Sequence, residues 1–188
     1  MQSAPNLVLV GPMGSGKSSI GRRLADRFGL AFIDADQQIE SRTGTSIRTI
    51  FECEGEAGFR ERERATLAEL LSASSTLIAT GGGAVVDPVT RSLLQERGFV
   101  VYLKVGIAQQ LARLARDRSR PLLATDDRES VLRRLAAERE PLYVEVADLC
   151  FDTDSLGAID TTVKLGRLLE QQWRPGCQQT HQHNETTA

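Results

Sequence analysis

Short apolar runs alternate with longer amphipathic stretches along the chain. The runs 6–11 (NLVLVG), 31–36 (AFIDAD), 76–80 (TLIAT), 99–105 (FVVYLKV) and 148–153 (DLCFDT) have the length and apolar density of buried strands. Between them, apolar residues recur at helical spacing. In 17–29, Ile20, Leu24 and Phe28 fall on one face, and Gly29 stands where a helix ends. Further helices are predicted over 37–43, 46–72, 87–98, 107–119, part of 130–147, and 156–173. The longest should break around EGEAG (54–58), and Pro141 should interrupt the helix that holds it. Asp87 and Pro88 read as the cap and first residue of their helix. Residues 120–129 read as a polar loop. Strand–helix alternation of this kind predicts a parallel sheet with helices on both faces, whose ligands bind at the C-terminal ends of the strands.

Composition sharpens this picture. The 188 residues fit a single domain, taken as 1–173, followed by a polar, aperiodic tail over 174–188 that is expected to be disordered. His181 and His183 lie in that tail and read as solvated rather than as a metal pair. Hydrophobic residues make up 40% and charged residues 26%, and the net charge of −2 gives no positive field for nucleic acid. No run approaches the length of a membrane span. The N-terminal stretch lacks the basic region of a signal peptide. Cys53, Cys150 and Cys177 are odd in number and widely spaced, which gives neither a disulfide framework nor a zinc site. Reduced thiols, a cytoplasmic location and a monomer are the corresponding expectations.

One motif carries specific chemistry. Residues 11–18, GPMGSGKS, match the phosphate-binding loop G-x-x-x-x-G-K-[ST] in full, with a strand before it and a helix after it. Backbone N–H groups of such a loop, and the helix N-terminus behind it, face phosphate oxygens. Lys17 would bridge the β- and γ-phosphates, and the Ser18 hydroxyl would ligate Mg²⁺. The motif by itself says only that a nucleoside triphosphate binds. No Asn-Lys-x-Asp base-recognition motif of GTP switches is present. The third strand ends in Gly81, Gly82 and Gly83 instead of the acidic residue of motor ATPases, and three glycines there favour close approach of a ligand to the backbone. Asp34 and Asp36, two apart on a strand, should point the same way at its mouth, although Asp36 could also cap the next helix. Arg60, Arg120 and Arg139 stand out as cations. For Arg60, within FRERERATL, helical ion pairing is the plain alternative, and Glu63, one turn on, could orient it.

Taken together, GPMGSGKSSIGRRLA, FIDAD, FRERE, TGGGAV, RPLL and REPLY, in this order and spacing from about residue 7 to 170, resemble shikimate kinases. The resemblance implies a three-layer α/β P-loop kinase fold, with a five-stranded parallel sheet flanked by helices and a mobile lid over about 113–128. It implies transfer of the ATP γ-phosphoryl group to the 3-hydroxyl of shikimate, on the route to chorismate and the aromatic amino acids. By the same resemblance Gly14, Ser15, Gly16, Lys17, Ser18 and Ser19 cradle the phosphates, and Ser18 and Asp34 serve Mg²⁺. Asp36 meets the shikimate hydroxyls, Arg60 and Arg139 fork onto its carboxylate, and Gly82 approaches the substrate. Arg120 closes from the lid, and Ser155 lies in the adenine loop, where the family often carries a longer polar side chain. The expected catalytic residues are Lys17, Asp36 and Arg120.

Two other readings are open to the residues. A gluconate or nucleoside monophosphate kinase of the same fold would share the phosphate loop, and the Arg pair alone would also suit gluconate. A nucleotide-binding regulator without catalysis should have lost Lys17, Ser18, Asp36 or Arg120, yet all four are present.

Overall fold

A computed structural model describes residues 2–115 and 127–176. A three-residue strand, β1 (Gln2–Ala4), leads into β2 (Asn6–Val10), the phosphate loop and α1 (Lys17–Phe28). Then follow β3 (Ala31–Asp34), α2 (Ala35–Thr43), α3 (Ile47–Ser72), β4 (Thr76–Ala79) and a 3₁₀ turn over Ala84–Val86. The remainder is α4 (Pro88–Arg97), β5 (Gly98–Lys104), α5 (Ile107–Leu114), α6 (Arg128–Val146), β6 (Leu149–Asp152), α7 (Ala158–Gln172) and β7 (Trp173–Pro175).

The main sheet has the order β3-β4-β2-β5-β6, and every pair in it is parallel. The phosphate-loop strand β2 is therefore central and fully buried. Alternation along it feeds two cores. Leu7 and Leu9 join Ile20, Leu24, Leu165 and Leu169 beneath α1 and α7. Val8 and Val10 join Leu67, Leu71, Leu94 and Tyr143 beneath α3, α4 and α6. This is the expected three-layer α/β fold. Among the described residues no helix is long and apolar enough to cross a membrane.

Three expectations about individual elements meet the structure differently, and a fourth holds. The strand expected over 31–36 stops at Asp34, because the Asp34 carboxylate caps α2, accepting the N–H groups of Asp36 (3.1 Å) and Gln37 (3.3 Å). Capping two orphan amides contributes about 1 kcal/mol and starts the helix two residues earlier than the alternation suggested. Asp36 thus sits in the first helical turn, where its charge favours the dipole, and it is not the cap. The helix α6 runs through Pro141; both Pro141 and Ala137, whose carbonyl the proline leaves without its helical donor, are exposed to water. The predicted break in α3 is present at Gly55, with φ 71° and ψ −176°, a backbone state open to glycine.

The last helix ends at Gln172, and Arg174 and Pro175, placed in the tail by composition, form β7. It pairs in parallel with β1, and the buried Trp173 indole N–H donates to the Ala4 carbonyl at 3.3 Å. Arg120, Cys177, His181 and His183 lie outside the described residues, as does most of the stretch expected to form the lid. At its margins Arg128 donates to the Leu114 carbonyl (3.0 Å), and Leu114 packs with Leu132.

Candidate active site

Parallel strands deliver their C-terminal ends to one edge of the sheet, and a cavity of about 540 Å³ opens there. One end is the phosphate loop. Gly14 and Gly16 take φ of 78° and 94°, which turns the loop around its own centre and lets α1 begin at Lys17. The Lys17 ammonium donates to the carbonyls of Gly11 (2.7 Å) and Pro12 (2.9 Å) and to the buried Ser15 hydroxyl (3.4 Å). Ser18 donates its hydroxyl to Asp34 Oδ2 at 2.5 Å. Asp34, fixed by its cap, thus holds the first turn of α1 against the mouth of β3.

The other end is built by α2, α3, α6 and the glycine run. Asp36, Arg60, Glu63, Gly82, Gly83 and Arg139 all line the same cavity, with Ile47, Phe51 and Phe59 as an apolar wall. The wall belongs to a small core of its own, in which Ile39, Ile50 and Phe59 are buried between α2 and α3. Arg139 is 6% exposed, and its Nη1 donates to the Gly82 carbonyl at 3.3 Å. Burying a guanidinium this far is costly unless an anionic partner completes the site.

Arg60 satisfies both readings that its sequence context left open. It makes helical ion pairs with Glu56 (2.9 Å) and Glu63 (2.6 Å), and it also faces the cavity. Burial opposes its charge, but the two carboxylates outweigh burial and push the guanidinium up. Glu63 is 2% exposed. Burial pushes its carboxyl up, Asp36 adds to the effect, and the attraction of Arg60 and Arg139 does not fully offset it. Attraction favours the charged form of both partners. Arg60 keeps more contact with water and has a second carboxylate, so its balance comes out the other way.

The glycine run has a steric cause that the sequence alone did not disclose. A Cβ on Gly81 would overlap Glu63 Oε1 and lie 2.8 Å from Asp36 Oδ1, and a Cβ on Gly83 would overlap the Arg60 guanidinium. A Cβ on Gly82 would meet only ordinary contacts, at 3.5 Å from the Met13 nitrogen. The outer two glycines therefore make room for the charged groups of the site, and the middle one presents its carbonyl to α6.

Two contacts escaped sequence reasoning. Arg113 donates to the carbonyls of Gly14 (2.9 Å) and Thr153 (2.8 Å), tying the phosphate loop to the turn after β6. Nothing in the stretch 107–119, whose sequence also holds Arg116 and Arg118, singles it out. Tyr143 donates its hydroxyl to the Gly82 carbonyl; its spacing of four from Arg139 was the available signal. Ser155 stands exposed in the turn after β6 and does not line the cavity.

A family model described as shikimate kinase matches residues 13–170. The chain belongs to the shikimate kinase family. It is 58% identical to a shikimate kinase of Stenotrophomonas maltophilia over 93% of this chain and 97% of that one. Identity to the shikimate kinase of Xanthomonas axonopodis pv. citri is also 58%, with the same coverage. Among solved structures, shikimate kinase from Acinetobacter baumannii in complex with shikimate superposes with a TM-score of 0.87 at 46% identity, covering 89% of this chain and 94% of that one. The shikimate kinase of Bacteroides thetaiotaomicron gives 0.80 at 30% identity, over 88% and 98%. The family was thus readable from the motifs, and the five-stranded P-loop kinase architecture agrees with it.

Proposed function

We propose that the chain transfers the γ-phosphoryl group of ATP to the 3-hydroxyl of shikimate, giving shikimate 3-phosphate and ADP on the route to chorismate. One observation carries this reading: a single cavity joins the phosphate loop to a carboxylate, Asp36, and two arginines, Arg60 and Arg139. The triphosphate lies along Gly14–Ser19, with Lys17 on the β- and γ-phosphates. The shikimate carboxylate is received by Arg60 and Arg139, and the ring lies against the apolar side of Ile47, Phe51 and Phe59. The 3-oxygen forms its bond to the γ-phosphorus as the bond from that phosphorus to the β–γ bridging oxygen breaks. The hydroxyl proton passes to Asp36, and the electron pair leaves with ADP.

Mg²⁺ suits the oxygen-only donor pair of Ser18 and Asp34, since this ion takes one or two protein ligands and fills its shell with water and phosphate oxygens. When bound with ATP it neutralises phosphate charge. Arg120, from the lid, and Ser155, beside the adenine, complete the proposed ATP contacts. We place the reaction in the cytoplasm, with the chain acting as a monomer on small molecules and without nucleic acid or membrane. Elution at twice the monomer mass on size exclusion would contradict the last point.

The deciding experiment is ADP release from ATP and Mg²⁺ with shikimate, against gluconate and nucleoside monophosphates. Turnover with shikimate alone is expected. Preferential turnover of gluconate would overturn the reading.

A further inference from the structure

We propose that Tyr143 is a positioning residue for the substrate: its hydroxyl fixes the Gly82 carbonyl, and through that shared acceptor it sets the guanidinium of Arg139. The inference rests on the reading of Arg139 as a ligand of the shikimate carboxylate. Tyr143 does not itself line the cavity; it lies behind Gly82 and Arg139, beside Leu132, Leu135 and Ala136.

Three observations support it. Arg139 and Tyr143 are one turn apart on α6 and donate to the same oxygen, Arg139 through Nη1 at 3.3 Å and Tyr143 through its hydroxyl. A carbonyl oxygen has two lone pairs, and these two donors use both. Second, Gly82 has glycine on either side, which leaves its peptide plane less restrained by local side chains, and the two donors from α6 add a restraint from outside the turn. Third, the tyrosine is itself immobilised. It is 2% exposed, and its ring stacks on Tyr102 of β5 with centroids 4.9 Å apart and planes at 26°. Burial pushes its hydroxyl up to about 12, so it remains a donor throughout the neutral range. Besides this carbonyl, the Arg139 guanidinium interacts with the Tyr143 hydroxyl itself, and its buried Nε has no hydrogen-bond partner among the described residues.

The test is Tyr143→Phe, which keeps the ring stack and removes only the donor. The shikimate KM should rise about fivefold, the effect of one lost hydrogen bond. The ATP KM should stay within about twofold, because the Tyr143 hydroxyl donates to Gly82 and not to a group of the phosphate loop. In an Arg139→Ala background the same change should cost less than about twofold, since the group it sets is gone. A hydroxyl that served stability alone would lower Tm and leave both KM values, or move them together. If Arg139→Ala raises the shikimate KM while Tyr143→Phe does not, or if Tyr143→Phe costs the same in both backgrounds, the positioning role is overturned and the carboxylate reading stands. If neither variant changes the shikimate KM, the carboxylate reading falls and this role falls with it.

Discussion

The guanidinium of Arg60 rests against the backbone of Gly83, in the space a methyl group would need. Glu56 and Glu63 hold it there from the same helix. The position of one cavity arginine therefore depends on the absence of a side chain elsewhere. Gly83→Ala should displace Arg60 and raise the shikimate KM by about tenfold or more, the scale of a charge-assisted hydrogen bond. Gly82→Ala, whose methyl meets only ordinary contacts, should melt with the wild type. Steady-state kinetics and thermal melts separate the two, and an unchanged shikimate KM in Gly83→Ala would contradict the steric account.

In the proposed mechanism Asp36, which lines the cavity, takes the hydroxyl proton. Asp36→Ala should lower kcat by about 10²–10⁴, the usual range for a lost general base. The capping carboxylate of Asp34 is untouched by this change, so the affinity for ATP should persist. Near-wild-type turnover by the variant, in the coupled ADP assay, would remove Asp36 from the mechanism.

Arg139 is buried, and its proposed partner is the shikimate carboxylate. Arg139→Ala should weaken shikimate binding by about 10- to 100-fold. Calorimetric titration of shikimate into variant and wild type measures this directly. Equal affinities would sink the two-arginine fork.

Glu63 makes stability depend on pH with a definite sign. Its carboxyl is raised in the folded chain, chiefly by burial, so the folded state keeps a proton that the unfolded state has already released. The stabilisation is complete below the ordinary glutamate range, near about pH 4, and is lost as pH rises through the raised value. Glu63→Gln removes this titration. The Tm of the wild type minus that of the variant should fall with rising pH, and a flat or rising difference would refute the assignment.

Ser18 and Asp34 share one hydrogen bond, which Mg²⁺ would have to replace. Chelation with EDTA should abolish ADP release, and added Mg²⁺ should restore it. Ser18→Ala should shift the Mg²⁺ concentration needed for half-maximal rate upward by about tenfold. Activity that is insensitive to EDTA would rule out the metal role.

The features legible in the sequence were those whose signal is local. The phosphate loop is a contiguous motif, and the five strands are apolar runs. Asp87 as a cap needs only its own neighbours; it accepts from the Thr90 N–H at 3.0 Å. Asp34 and Asp36 misled because an aspartate caps a helix as readily as it ends a strand; Ala35 between them, a strong helix former, was the one local signal for the earlier start. The pairing of β1 with β7 joins residues near opposite ends of the chain, and three-residue strands leave no periodicity to read. The reason for three glycines became visible only when Glu63 and Arg60 were seen against them. Tyr143 and Arg113 act through main-chain carbonyls, which no side-chain pattern announces.

That pairing of β1 with β7 has a mechanical consequence. The two strands run in parallel, so tension applied at Gln2 and at Pro175 pulls them along their length in opposite directions. The load then falls on their hydrogen bonds and on the seated Trp173 ring together, not on one bond after another. Under stretching, the ends of the fold act as a shear clasp, and the strands that carry the phosphate loop and Asp34 are shielded until it slips.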